Sequence, residues 1–293
     1  MKRNWSLYIL VIPVIVYFVL FSYKPMYGAL IAFKNYSPGR GFSGSPWVGF
    51  THFIRFFNSP YFLRLIRNTF LISFYGLLFG FPAPIVLALL LNEVRHSGYK
   101  RVVQTVTYLP HFISMIVIAG MITDFSLSTG LFNDIIVALG GRRVSLLQQP
   151  NLYRTIYIAS DIWQHVGWGT IIYLSALSAI DPQLYEAAMI DGAGRIRQLI
   201  AVTIPSITPT IVILLILRIG SLLSVGYEKT LLLYNPATYE TADIISTYVY
   251  RVGLLEQSWS YSTAIGLLNS LINFSLLIIA NMISRRVSET SLW

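Results

Sequence analysis

The 293-residue chain has no cysteine. That excludes disulfide frameworks, thiolate metal sites and a cysteine nucleophile, and leaves the redox compartment undetermined. Charge is also scarce: 11% of residues are charged, against roughly 25% in soluble domains. No G-x-x-x-x-G-K-[ST] occurs, so no loop of this chain cradles nucleotide phosphates. The G-x-G of Gly192–Gly194 follows a helical pattern and lacks a third glycine, which argues against a dinucleotide site. The four histidines are dispersed, without an H-x-x-x-H or paired-carboxylate cluster, so neither metal binding nor catalysis is expected. The formal charge of +9 is spread in short clusters between apolar runs. No basic stripe carries interleaved aromatics, and no nucleic-acid partner is expected.

Apolar residues make up 55% of the chain and mean hydropathy is +0.63. These values indicate an integral membrane protein. A spanning helix needs about 20 mostly apolar residues, and six segments qualify: 7–33, 70–91, 102–122, 155–180, 204–225 and 263–283. The run FLISFYGLLFGFPAPIVLALLL at 70–91 lacks the period-two alternation of barrel strands. The expected fold is therefore all-α, a single polytopic domain over 1–293 with six transmembrane helices. MKRNWSLYILVIPVIVYFVLF has the basic head of a signal peptide but no small-residue cleavage site, so it is read as an uncleaved first span.

Long connections (34–69, 123–154, 226–262) alternate with short ones (92–101, 181–203). Raw Lys/Arg counts do not orient the chain, but the short side is about twice as dense in positive charge, which favours a cytoplasmic short side. Both termini, with Lys2 and Arg3, then lie inside.

The short connection EAAMIDGAGRIRQLIAVTIP is polar within an apolar region. Asp181 is suited to N-cap a short helix with Pro182 at its first position. Gly192 is suited to end it in the left-handed conformation. A second helix is expected from about Gly194 to Pro205, whose ring opposes continuation. A helix of about nine residues is marginal alone, so the face bearing Leu184, Tyr185, Met189 and Ile190 needs cover. A protein partner and a lipid surface both qualify.

Ionisable groups within spans point to function. Asp161, His165 and Trp168 lie at i, i+4 and i+7 and share a helix face. Asp161 stands about 28 Å from Ile180, and Arg218 about 21 Å from Ile204, at 1.5 Å per residue. The two reach similar depth, and whether they pair stays open. Asn269 and Asn273, also i and i+4, read as interhelical hydrogen-bonding residues.

IDPQLYEAAMIDGAGRIRQLIAVTIP resembles the EAA loop of binding-protein-dependent ABC importer permeases: Glu-Ala-Ala, three residues, Gly, nine residues, then a hydrophobic-Pro ending, here Val202 to Pro205. The likeness runs through SPWVGF, FGFPAP, QTVTYLPHFIS, WGTIIYLSAL and ISTYVYRVGL. It is similar to the maltose-type sugar permeases, particularly those handling complex or acidic oligosaccharides. The resemblance implies that 181–205 is a cytoplasmic coupling loop seated on an ATPase. Tyr185, Glu186, Ala187, Ala188, Asp191, Gly192 and Pro205 would carry the coupling. It further implies a second related permease, two ATPase subunits, an extracytoplasmic solute-binding protein and an oligosaccharide substrate in the cell membrane. No cofactor is expected on this chain, with ATP held by its partners. Aromatic faces serve sugar recognition, which singles out Trp163, Trp168 and Tyr173 beside Asp161, His165 and Arg218. The rival readings are a secondary transporter driven by an ion through Asp161 and Glu228, and a membrane scaffold with no pathway.

Overall fold

The computed structural model describes residues 5–287, so the expectations for Lys2, Arg3 and the final residues lie outside the described part. Five helices are long and apolar enough to cross a membrane: α1 (Tyr8–Phe33), α2 (Phe62–Glu93), and the stretches Met115–Ala138, Arg195–Gly220 and Trp259–Arg286. A sixth helix, Pro150–Ser178, has 29 residues, about 43 Å at 1.5 Å per residue. It carries Asp161, Gln164 and His165 mid-length, which lowers its mean hydropathy. The remaining labels follow chain order: α3 (Ser97–Tyr108), α4 (Met115–Ser126), α5 (Pro150–Ser178), α6 (Pro182–Ile190), α7 (Arg195–Gly220), α8 (Tyr227–Leu233) and α9 (Trp259–Val287).

Two expected boundaries change. The segment 102–122 is two helices, because Pro110 ends α3 in a tight turn and Ile113 and Ser114 are extended before α4. The apolar span shifts to begin at Met115. The helix expected to stop at Pro205 instead continues to Gly220. Its chain widens into a π-turn over Leu199–Thr203, and Pro205 sits in the first turn of the α-helical part that follows. Widening relieves the clash of the ring with the preceding turn and accommodates its missing N–H. The same arrangement recurs at Val19–Tyr23 before Pro25 and at Gly76–Gly80 before Pro82.

The described residues fall into two compact units, 5–63 with 245–271 and 64–244 with 272–287. In the first unit α1 exposes its apolar side chains from Tyr8 to Tyr27, as a lipid- or protein-covered span requires. Its core joins Ala32, Phe53 and Ala264. Lys34 is buried there, and no carboxylate among the described residues pairs with it. Its Nζ donates to the Phe42 carbonyl at 2.7 Å and lies 4.4 Å from the Phe42 ring centre, so a carbonyl dipole and a π-face together hold the charge.

The second unit is built around α5. Its own Tyr153 and Tyr157 pack with Ile72, Ile118, Leu233 and Ile244 along its first half, and its Tyr173 and Leu177 with Ala88 and Ile207 along its second. Helices in a bilayer associate through close packing of small residues. Gly167 makes that possible here: a Cβ on it would overlap the backbone carbonyl of Thr107 on α3. Asn273 on α9 accepts from the Leu223 amide at 2.9 Å and donates to Ser224 Oγ at 3.1 Å. It thereby satisfies the end of α7, in line with its expected hydrogen-bonding role.

Candidate functional site

The EAA-like segment forms as local chemistry dictates. Asp181 Oδ1 accepts from the Gln183 amide at 2.9 Å and Pro182 opens α6. Gly192 ends it at φ +76°, where a Cβ would be strained. The Ala193 amide then bonds the Ala188 carbonyl at 2.9 Å, closing the helix end. Glu186, Ala187, Asp191 and Gly192 are exposed, while Tyr185 and Ala188 are half-buried. Tyr185 turns inward, its hydroxyl 2.9 Å from Thr203 Oγ1 in the π-turn. Gln198 Nε2 donates to the Ala193 carbonyl at 2.8 Å. These two bonds tie α6 to the foot of α7. Outward, Leu184, Met189, Ile190 and Ile196 are left uncovered, Ile190 at 86% exposure. Pro205 is exposed at the base of α7.

A cavity of about 500 Å³ lies in the second unit. It is walled by α2 (Ser73, Gly76), α4 (Met115), α5 (Asp161, His165), α7 (Arg218) and α8 (Glu228, Lys229). Asp161, His165 and Arg218, three residues expected on a path, thus meet at one surface. Asp161 does not pair with Arg218. Its Oδ1 receives Lys229 Nζ at 3.3 Å and stands 3.6 Å from His165 Nδ1. Lys229 is 2% exposed and also donates to the Tyr157 carbonyl at 3.1 Å. Burial pushes its ammonium below the usual lysine range, and Asp161 opposes that through charge and hydrogen bonding.

The aromatic candidates lie elsewhere. Trp163 is exposed and outside the cavity lining. Trp168 stacks on His111 at 4.5 Å with an interplanar angle of 2°, and Phe112 meets it edge-on at 5.6 Å. Tyr173 is buried among Ala88, Leu177 and Ile207. Lys229 and Ser73 were not singled out by sequence reasoning. Lys229 falls in a segment assigned to the outer side, and Ser73 is one hydroxyl in an apolar run. The only sequence signal for Lys229 is the adjacent acid–base pair Glu228-Lys229 just after an apolar span.

An all-α membrane bundle with an exposed, capped EAA-type segment defines the class of polytopic permease. The chain belongs to the family described as binding-protein-dependent transport system inner membrane component, whose profile matches residues 80–289. It is an inner-membrane ABC permease. Among its relatives, protein LplB of Bacillus subtilis (strain 168) is 47% identical over 294 aligned positions, covering 100% of this chain and 92% of LplB. The polygalacturonan/rhamnogalacturonan transport system permease protein YteP of the same organism is 45% identical over 290 positions, covering 98% and 90%. A similar solved chain belongs to a bacterial alginate ABC transporter in complex with alginate pentasaccharide-bound periplasmic protein. It is 46% identical with a TM-score of 0.91, covering 99% of this chain and 98% of that one.

Proposed function

We propose that the chain is one permease half of an ABC importer for oligosaccharides. It works with a second related permease, two cytoplasmic ATPase subunits and an extracytoplasmic solute-binding protein. The observation that carries this reading is α6: a nine-residue helix, capped at both ends and lashed to α7, whose outward apolar side chains nothing among the described residues covers. Such a helix is marginal without cover, and a cleft in a motor subunit provides it. The relatives, which transport polygalacturonan, rhamnogalacturonan and alginate by their names, support a sugar polymer fragment as cargo. Closure of the ATPases would move α6, and the Tyr185–Thr203 bond and π-turn would pass that movement into α7 and the cavity wall at Arg218. With α6 cytoplasmic, the even count of four spans before it supports a cytoplasmic N-terminus.

The test is Ile190→Asp in the reconstituted complex. The side chain is almost wholly exposed, so folding should survive while the ATPase no longer co-purifies and uptake stops. Normal ATPase association and ATP-driven sugar uptake by this variant would remove α6 from the interface. ATP-independent uptake by the purified chain would favour an ion-coupled carrier instead.

A further inference from the structure

Besides Tyr157, the cavity is lined by two carboxylates, Asp161 and Glu228, and three basic side chains, His165, Arg218 and Lys229. Two of them cancel, since Lys229 is locked between Asp161 and the Tyr157 carbonyl. Arg218 and Glu228 are exposed to the cavity, and among the described residues neither has an ion-pair partner, including each other. The wall therefore presents one cation and one anion held apart. Arg218 lies within the apolar stretch Arg195–Gly220, where an unpaired charge is costly and marks a ligand path.

A second feature points the same way. Ser73 on α2 is 8% exposed and lines the cavity, and among the described residues its hydroxyl has no hydrogen-bond partner. A buried hydroxyl without a partner costs free energy until a ligand supplies one. Gly76 lies one helical turn further along, and the Arg218 guanidinium stands 3.8 Å from where a Gly76 side chain would begin. The missing side chain leaves the guanidinium room beside this turn of α2.

We infer that Arg218 and Ser73 form a carboxylate-binding subsite, which selects oligosaccharides containing uronic-acid residues. The guanidinium fork matches two carboxylate oxygens, and the Ser73 hydroxyl donates a further bond. Glu228 accepts from ring hydroxyls. Its negative charge disfavours a dianionic phosphate more than a singly charged carboxylate flanked by hydroxyl donors. Lys229 is excluded from this role because Asp161 already occupies it. The assignment rests on the oligosaccharide-permease reading above.

The experiment is equilibrium dialysis of the assembled complex, without solute-binding protein, against trigalacturonate and its carboxyl-reduced counterpart, trigalactose. The wild type should prefer trigalacturonate. Arg218→Met should weaken trigalacturonate by about tenfold or more, the scale of hydrogen bonds to a charged partner, and leave trigalactose unchanged. Arg218→Lys should recover part of the loss, and Ser73→Ala should cost about threefold. Melting temperature and ATPase content should stay at wild-type values. Equal affinity of the wild type for both sugars, or parallel losses for both in Arg218→Met, would overturn the subsite. Binding of neither sugar by the wild type would instead sink the oligosaccharide reading itself.

Discussion

The EAA-like segment and the cavity are built in opposite ways. From Asp181 to Thr203 every structural contact described above comes from nearby in sequence: a cap two residues away, a helix end closed on itself, and Tyr185 reaching Thr203. The cavity gathers side chains from Ser73 to Lys229 on five helices, and its central ion pair joins α5 to α8. A local device should fail locally, by losing a partner. A device assembled from distant parts should fail by losing the assembly.

The largest expected effect therefore lies in the cavity wall. Lys229→Ala leaves Asp161 without its cation, and breaking a buried pair costs about 3–5 kcal/mol. Because the Asp161 side chain keeps 32% exposure, the lower end, about 3 kcal/mol, is expected. The melting temperature of the purified complex should fall, and Asp161→Asn in the same background should recover part of it. If Lys229→Ala melts like wild type, the pair does not hold the wall together.

Next is Gly167→Ala, which forces α5 away from the Thr107 carbonyl at a cost of about 2–3 kcal/mol, typical of overpacking. It should lower thermal stability and sugar affinity together, while ATPase association per folded complex stays normal. A selective loss of ATPase association would erase the contrast between the two regions.

Gly192→Val should act the other way. Its backbone at φ +76° opposes a β-branched side chain by about 1–2 kcal/mol, confined to the exposed end of α6. Pull-down of the ATPase should weaken while membrane insertion and sugar binding persist.

The smallest stability change is expected for Tyr185→Phe, about 1 kcal/mol for one hydrogen bond. This variant sharpens the comparison most. ATPase should still bind, but sugar transported per ATP hydrolysed should drop, with Thr203→Val behaving alike and Thr203→Ser near wild type. An unchanged ratio would mean that α6 moves α7 through the backbone alone.

Much of the EAA-like segment was legible in the sequence. Asp181, Pro182 and Gly192 each have a conformational preference set by their own covalent structure, so their roles as cap, first turn and left-handed terminator follow from identity and order. Pro205 misled for the same reason: its ring does oppose a regular α-turn, and a π-turn at Leu199–Thr203 absorbed the conflict without ending the helix. Pro110 shows the other resolution of that conflict, a break between α3 and α4.

The cavity was legible only in part. Helical spacing put Asp161 and His165 on one face, and both line it. Spacing also put Trp168 with them, yet its ring is taken up by His111 and Phe112, because periodicity fixes a direction around one axis and not what stands opposite. Lys229 shows the same limit, since a charge after a span reads as a flanking residue until α8 folds back and buries it.

The sequence by itself determined the membrane setting, the helical class and the form of the EAA-like segment, because hydropathy, backbone preference and capping act within a few residues. Only the tertiary structure decided that Asp161 takes Lys229 as its partner and leaves Arg218 on the wall of the same cavity, near Gly76. Charge pairing depends on distances between helices, and those are set by packing such as Gly167 against Thr107, which no local stretch of the chain encodes.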